Sequence, residues 1–423
     1  MYQLRDYQQK CSDAAINFFN QKSKKNGLLV VPTGAGKSII IADIASRLNG
    51  DVLVLQPGPE ILEQNYDKYC SYGFDNCSIY SASLNKKKIS KVTFATIGSI
   101  MAHKDDFNHF LYIIVDEAHV VNPQGGQYKE LFESAQRRIL GLTATPYRLG
   151  ATLQYIENGK DIVYRPSDKE KSLEFDTKIL KGDITSENKC ILKFLTRTRP
   201  RIFTEVIYQV DILTLLKRGY LAQMNYYDMT ILRPDNIKRN STGMDYDDED
   251  LKSSIKNVGL QSHLINIVRR LLNPKNGVPR KGILVFTKFL QESESLCQSI
   301  PGCVMVTGKT PKRERKRILD SFKKGEIRVV TNVGVLTTGF DYPELDTIVI
   351  ARPTMSLALY YQIVGRAIRP HPSKKSGWVI DLCGNIDRFG KVEDLHLTER
   401  SSGLYAIESH SNGRMKQLTN ILF

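Results

Sequence analysis

Lys37 and Ser38 end the segment Pro32-Thr33-Gly34-Ala35-Gly36-Lys37-Ser38, whose residue types and spacing suit the binding of phosphate. Gly34 and Gly36 let backbone N–H groups converge on phosphate oxygens, and a helix starting there adds the positive end of its dipole. Lys37 would reach the outer phosphates of a nucleoside triphosphate, and Ser38 would ligate Mg2+. The strict P-loop pattern places a glycine where this chain has Val31. The flanking residues support the assignment nonetheless: an apolar run precedes the segment and a helical pattern follows it. A second chemical group is Asp116-Glu117-Ala118-His119, directly after another apolar run. Acids at the C-terminal end of a strand face the crevice where open α/β sheets bind ligands. Asp116 would hold Mg2+ through water, and Glu117 would orient or deprotonate an attacking water.

These groups need strands and helices to bring them together. Apolar runs at 28–31, 52–55, 92–95, 112–115 and 139–142 lack the alternation of half-exposed strands, so both faces are expected to be covered. Helical spacing of Ile40, Ile41, Ile44 and Leu48 predicts a helix over 38–48. Strands alternating with helices imply βαβ units and a parallel sheet. A second set of runs, at 283–286, 303–306, 327–330, 347–351 and 378–381, predicts another α/β domain. Between the sets, Leu173, Phe175, Thr177 and Ile179 alternate with charged residues. Strands are therefore predicted over 172–180, 162–164 and 190–196, as a small β-rich insertion spanning 151–203. Apolar spacing over 205–217 reads as a helix returning to the first domain within 204–222, with Gly219 as its C-cap. The polar stretch 233–250, with its acidic DYDDED, reads as an inter-domain connection leading into a helix N-terminus. The predicted domains are 1–150, 151–203, 204–222 and 223–423.

The chain has 423 residues, 41% hydrophobic and 25% charged, the composition of a globular protein. Lys and Arg outnumber Asp and Glu by 60 to 45, a net charge of +15. Such an excess points to a polyanionic partner, nucleic acid above all. Seven cysteines without C-x-x-C spacing suggest neither a disulfide framework nor a four-ligand zinc site. With no signal-peptide pattern and no long apolar span, a cytoplasmic protein is expected.

With both motifs placed, the chain resembles the superfamily-two helicases and translocases with a DEAH box. Leu4-Arg5-Asp6-Tyr7-Gln8 looks like that family's adenine-reading motif, implying nucleotide contacts from Arg5 and Gln8. Thr143-Ala144-Thr145-Pro146 matches the motif coupling hydrolysis to strand movement, with His119 bridging to it. Residues 331–341, TNVGVLTTGFD, match the fifth motif, in which Gly339 and Asp341 would touch nucleotide. Gln362-Ile363-Val364-Gly365-Arg366-Ala367-Ile368-Arg369 matches the sixth. The resemblance implies two tandem RecA-like domains with ATP between them, Arg366 and Arg369 as arginine fingers and Gln362 as γ-phosphate sensor. Asp381-Leu382-Cys383-Gly384-Asn385, with Arg388 and Gly390, further resembles RadD-type and phage branch-migration helicases.

The resemblance also implies a strand of nucleic acid crossing both domains, over Gln56, Pro57, Gly58, Thr96, Gly98, Ser99, Thr287, Lys288, Thr331 and Asn332. Hydroxyls and glycines there suit phosphate contact, and they are equally ordinary turn residues. Arg197 and Arg199 add basic groups at the insertion's exit. The stretch 309–328 holds nine Lys and Arg, which a solvated helix face explains at least as well as phosphate contact. The implied activity is an ATP-dependent DNA helicase or translocase acting on forked or branched DNA. An RNA helicase and an ATP-gated DNA-binding or remodelling module remain alternatives.

Overall fold

The structure is a computed structural model that describes residues 3–419, apart from 134–136, 160, 164, 167, 338, 340–341, 402–403 and 412–413. The first sheet contains β1 (Gly27–Val30), β2 (Val52–Gln56), β3 (Cys77–Ser81), β4 (Lys86–Lys87), β5 (Val92–Thr96), β6 (Tyr112–Val115) and β7 (Arg138–Thr143). Its central strands are buried on both faces, as their unbroken Val, Leu and Ile content requires. Further along come β8 (Tyr147–Glu157), β9 (Asp161–Val163), β10 (Ile184–Phe194) and β11 (Glu205–Gln209). The last of these returns to the first sheet, whose order is β11-β1-β7-β6-β2-β5-β3-β4, parallel except for β4. This order sets β1, β7 and β6 side by side. The loops leaving their C-terminal ends, at 31–36, 143–146 and 116–119, therefore share one edge although they are far apart in sequence.

The second sheet is built from β12 (Gln223–Asp228), β13 (Ile283–Thr287), β14 (Cys303–Thr307), β15 (Val329–Val333), β16 (Thr347–Ala351) and β17 (Ser376–Asp381). Its order is β12-β17-β16-β13-β15-β14, and the paired strands are parallel. The fold is thus α/β with two large parallel sheets, as expected. A small antiparallel sheet follows, of β18 (Leu395–Ser401), β19 (Leu404–Ser411) and β20 (Arg414–Gln417), which no sequence pattern announced.

Three expectations are corrected. Residues 172–180 are not a strand but lie in the helix Lys169–Lys181. The Asp168 side chain accepts from the backbone N–H groups of Glu170 and Lys171, and Gly182 ends the helix in the left-handed conformation. Of its apolar residues, Phe175 is buried, whereas Leu173 and Leu180 are 74% and 88% exposed, so the alternation marked no sheet face. The insertion is nonetheless rich in strand: β8 and β10 form a long antiparallel pair running from Tyr147↔Phe194 to Glu157↔Ile184.

The stretch 205–217 is likewise not one helix. Its first half is β11, paired with β1, and only Ile212–Lys217 is helical, N-capped by Asp211 and ended at Gly219. Finally, the chain enters the second sheet at β12, so the inter-domain crossing is 218–222 rather than 233–250. The acidic run does open a helix, Asp248–Asn257, whose N-cap is Asp247.

Candidate nucleotide site

Gly36 adopts a left-handed conformation (φ 82°) and caps the helix Lys37–Arg47, whose first N–H groups have no side-chain cap. A Cβ at Gly36 would lie 2.6 Å from the Gln8 amide nitrogen, so both backbone conformation and space demand glycine. Gln8 Nε2 and the Tyr7 hydroxyl both donate to the Ala35 carbonyl, at 3.1 and 2.7 Å, bracing the cradle from beneath. Gln8 Oε1 accepts from Arg5 N at 3.0 Å. The Arg5 guanidinium stacks over Tyr220, 4.4 Å from the ring centroid, and lines the same cavity as Lys37.

Across the cradle, Glu117 takes a left-handed conformation (φ 50°), which turns its carboxylate back toward Lys37. Lys37 Nζ and Glu117 Oε1 are 3.4 Å apart, both nearly buried. Asp116 Oδ1 accepts from Glu117 N at 2.9 Å, and Oδ2 accepts from Asn65 Nδ2 at 2.8 Å. Burial, then the neighbouring Glu117, pushes the Asp116 carboxyl up to about 6. Burial opposes the charge on Glu117 as well, yet Lys37, His119 and Arg366 hold its carboxyl below the usual value. The acid pair thus keeps its charge on Glu117 first.

Burial lowers the His119 pKa and favours neutral imidazole. Its Nδ1 lies 3.1 Å from Thr143 Oγ1, which also accepts from Thr145 N at 3.0 Å. Its Nε2 lies 2.9 Å from Gln362 Nε2, so a neutral His119 accepts from the second domain while donating to the first. The sequence expectation placed Gln362 at the γ-phosphate; here its amide meets His119.

Arg366 and Arg369 come from the second domain and line a cavity of about 590 Å3 together with Thr33, Lys37, Ser38, Asp116 and Glu117. Burial lowers both guanidinium pKa values to about 10, still charged at neutral pH, and for Arg366 the Glu117 carboxylate works against that fall. The closeness of the domains depends on Gly365, where a Cβ would come within 2.8 Å of Thr33 Cβ. The Lys374 ammonium pins the intervening Ala367 carbonyl at 2.9 Å, and Ala222 N donates to Ile368 O at 2.7 Å. Gly339 lines the cavity, while Asp341 lies outside the described residues. Tyr7, Asn65 and Lys374 escaped the sequence reading. Each acts through a hydrogen bond to a distant backbone or side-chain atom, which leaves no periodic or spaced signal.

The expected nucleic-acid contacts divide into two groups. Pro57, Gly98, Arg197 and Arg199 are exposed, and Gly58, Thr96 and Ser99 are half-buried, with Thr96 Oγ1 and Ser99 Oγ 2.8 Å apart. The side chains of Gln56, Thr287, Thr331 and Asn332 are buried inside their own domains. Ser293 Oγ lies 2.7 Å from both the Thr287 and Thr331 hydroxyls, and Asn332 Nδ2 donates to Val285 O. Lys288 is paired with Asp245 and Asp248 at 2.9 and 3.3 Å. Strand ends demand such internal ties, so these types mark turns here rather than open phosphate contacts. The helix Lys312–Lys323 also departs from a purely solvated face: Lys312 and Arg315 reach Glu63 and Glu60 of the first domain at 3.1 and 3.0 Å. The motif at 381–390 is a structural tie, in which Asp381 accepts from Cys383 N, Asn385 Nδ2 and Ile386 N.

Among the described residues, no helix is long and apolar enough to cross a membrane, and no cluster of three or more His, Cys, Asp or Glu could hold a metal alone. The family described as the Type III restriction enzyme res subunit matches residues 1–148, and the helicase conserved C-terminal domain matches residues 263–371. IRC3 of Saccharomyces cerevisiae is 25% identical over 414 residues, covering 90% of this chain and 51% of that protein. The DNA 3'-5' translocase XPB2 of Sulfurisphaera tokodaii is 27% identical over 386 residues, covering 87% of this chain and 79% of that protein. This chain therefore spans about half the length of the yeast relative. Among solved structures, the Type ISP restriction-modification enzyme LlaBIII bound to DNA shares the fold with a TM-score of 0.62 at 19% identity, over 90% of this chain and 28% of that one. With a match to the Type III restriction enzyme res subunit over the first domain and to the helicase conserved C-terminal domain over the second, the chain is similar to the superfamily-two helicases in both halves that build the cavity.

Proposed function

We propose that the chain is an ATP-dependent DNA helicase or translocase of the DEAH-box kind, acting on forked or branched DNA. One observation carries the reading: a lysine and two acids from one sheet and two arginines from another line a single cavity. A triphosphate in the Gly34–Gly36 cradle would meet Lys37 at its outer phosphates. Glu117, kept ionised by Lys37 and Arg366, would take a proton from the attacking water, while Arg366 and Arg369 would stabilise charge developing on the transferred phosphoryl group. Ser38 and Asp116 fit Mg2+, an ion that takes one or two protein oxygens and leaves the rest to phosphate and water. When bound, it would neutralise phosphate charge.

Because the site is complete only when the domains meet, ATP binding favours closure and hydrolysis favours reopening. The His119 bridge between Thr143 and Gln362 gives the catalytic loop a direct contact across that interface. The net charge of +15 and the XPB-type relatives support DNA as the track. The resemblance of residues 381–390 to RadD-type and phage branch-migration helicases supports branched substrates. The test is ATPase and strand displacement measured with single-stranded DNA, duplex, fork, four-way junction and RNA. The expected result is DNA-stimulated hydrolysis with preferred opening of forks or junctions. Stimulation by RNA alone, or hydrolysis without any strand movement, would overturn it. In the same assay Lys37→Ala should abolish hydrolysis.

A further inference from the structure

The Asn65 amide joins two parts of the first domain that the ATP chemistry leaves unconnected. It sits in the helix Pro59–Ser71 and is almost wholly buried. Its NH2 group has two hydrogens, and both are used: one goes to Asp116 Oδ2 at 2.8 Å, the other to Gln56 Oε1 at 3.0 Å. Asp116 is thereby oriented from two sides, by Glu117 N on one oxygen and by Asn65 on the other. Gln56 is the last residue of β2 and directly precedes exposed Pro57 and the Gly58 cap of the helix that carries Asn65. Gln56 is fully buried, and among the described residues its Nε2 has no hydrogen-bond partner. A buried donor left unmade is costly, so the Gln56 amide is held by Asn65 alone and is the part most readily re-aimed when the 57–58 loop shifts.

We infer that Asn65 is a positioning residue for Asp116, and that the chain Gln56–Asn65–Asp116 transmits occupancy of the loop at 57–58 to the acid beside the phosphates. This rests on the reading that the chain hydrolyses ATP in response to nucleic acid. Asn65 borders the cavity, but its amide hydrogens are spent on Asp116 and Gln56 rather than on a ligand. It sets the direction of the acid beside the phosphates, as outer-shell partners of acidic ligands do. Because coupling is reciprocal, the link must also let nucleotide alter nucleic-acid affinity.

The test compares wild type with Asn65→Leu, Asn65→Asp and Gln56→Met. It reads DNA-stimulated kcat and KM for ATP, and the ratio of single-stranded DNA dissociation constants with and without a non-hydrolysable ATP analogue. Asn65→Leu should lower stimulated kcat by about tenfold with KM within about twofold, because the lost interaction serves the transition state more than binding. Asn65→Asp, which keeps the shape but sets a second carboxyl against Asp116, should do the same. In both, the nucleotide-dependent ratio should collapse toward one. Gln56→Met keeps Asn65 on Asp116 but cuts the arm to the loop, so it should reduce the ratio more than it reduces kcat. The proposal is overturned if Asn65→Leu keeps wild-type kcat and ratio. It is also overturned if the Asn65 variants lose thermal stability and raise KM while the ratio holds, since that is a packing role. A wild-type chain that hydrolyses no ATP with any nucleic acid would instead strike the motor reading itself.

Discussion

Arg366 and Arg369 of the second domain line one cavity with Lys37 and Glu117 of the first, an arrangement that suits a shared anionic ligand. Bringing Arg366 and Arg369 into a buried position costs solvation, as their lowered pKa values show, and a triphosphate would return that cost. Replacing either by alanine should therefore lower kcat by about a thousandfold or more while nucleotide affinity changes far less, as single-turnover and equilibrium binding measurements would separate. The Asp116 carboxyl, raised by burial, gives a second handle. It must be ionised to hold Mg2+, so kcat/KM, which reports the free enzyme, should fall as pH drops through about 6. A profile flat down to pH 5 would remove Asp116 from that duty. Lys37, Asp116 and Glu117 stood out in the sequence through types and spacing suited to phosphate, and Arg366 and Arg369 through the resemblance to the sixth helicase motif; the structure gathers all five around one cavity. Gln56, Thr287, Thr331 and Asn332 misled because a hydroxyl or amide at a strand end serves its own turn as well as a ligand.

At the scale of elements, the helix Pro59–Ser71 has three jobs. It lines the cavity, it holds Asp116 through Asn65, and it offers Glu60 and Glu63 to Arg315 and Lys312 of the second domain. Those ion pairs are partly exposed, so each contributes only about 0–1 kcal/mol. Together they bias domain closure without locking it. Reversing both acids (Glu60→Lys with Glu63→Lys) should raise KM for ATP roughly two- to fivefold and widen the particle in small-angle scattering. Reversing Lys312 and Arg315 to acids in the same protein should restore both, and failure to restore would mean that the pairs do not set the cleft. The strands β1, β2, β5, β6, β7 and β13 to β17 were anticipated because burial leaves unbroken apolar runs, whereas β3, β4 and β12 carry no such run and were not. The helix Lys169–Lys181 was not, since its exposed side chains obey no burial pattern and its caps at Asp168 and Gly182 decide it. The strand β11 was missed because its partner β1 is distant in sequence, and pairing, not local spacing, makes it a strand.

Across the whole molecule, the insertion of β8, β9 and β10 projects from the first domain's last central strand and meets the second domain where Leu149 and Leu192 line a cavity with Ile231, Met355 and Leu418. Removing residues 152–188 should spare DNA-stimulated ATPase within about twofold while strand displacement on forks falls by about tenfold or more, the two losses being separable as different transition states. Equal loss of both would make the insertion a structural support rather than an element that helps part the strands. The crossing at 218–222 runs along one edge of both sheets, because β11 and β12 are edge strands, and Ala222 is bonded to the loop of Arg366 and Arg369. The contacts of Lys312 and Arg315 with the first domain lie toward the opposite edge, beside β14 and β15. Such a layout would let the two lobes turn about the crossing as a door turns on its hinge, with the weak ion pairs as a latch at the cavity's far rim. Displacement at the phosphates would then grow with distance from that hinge, turning a small chemical event into a longer stroke.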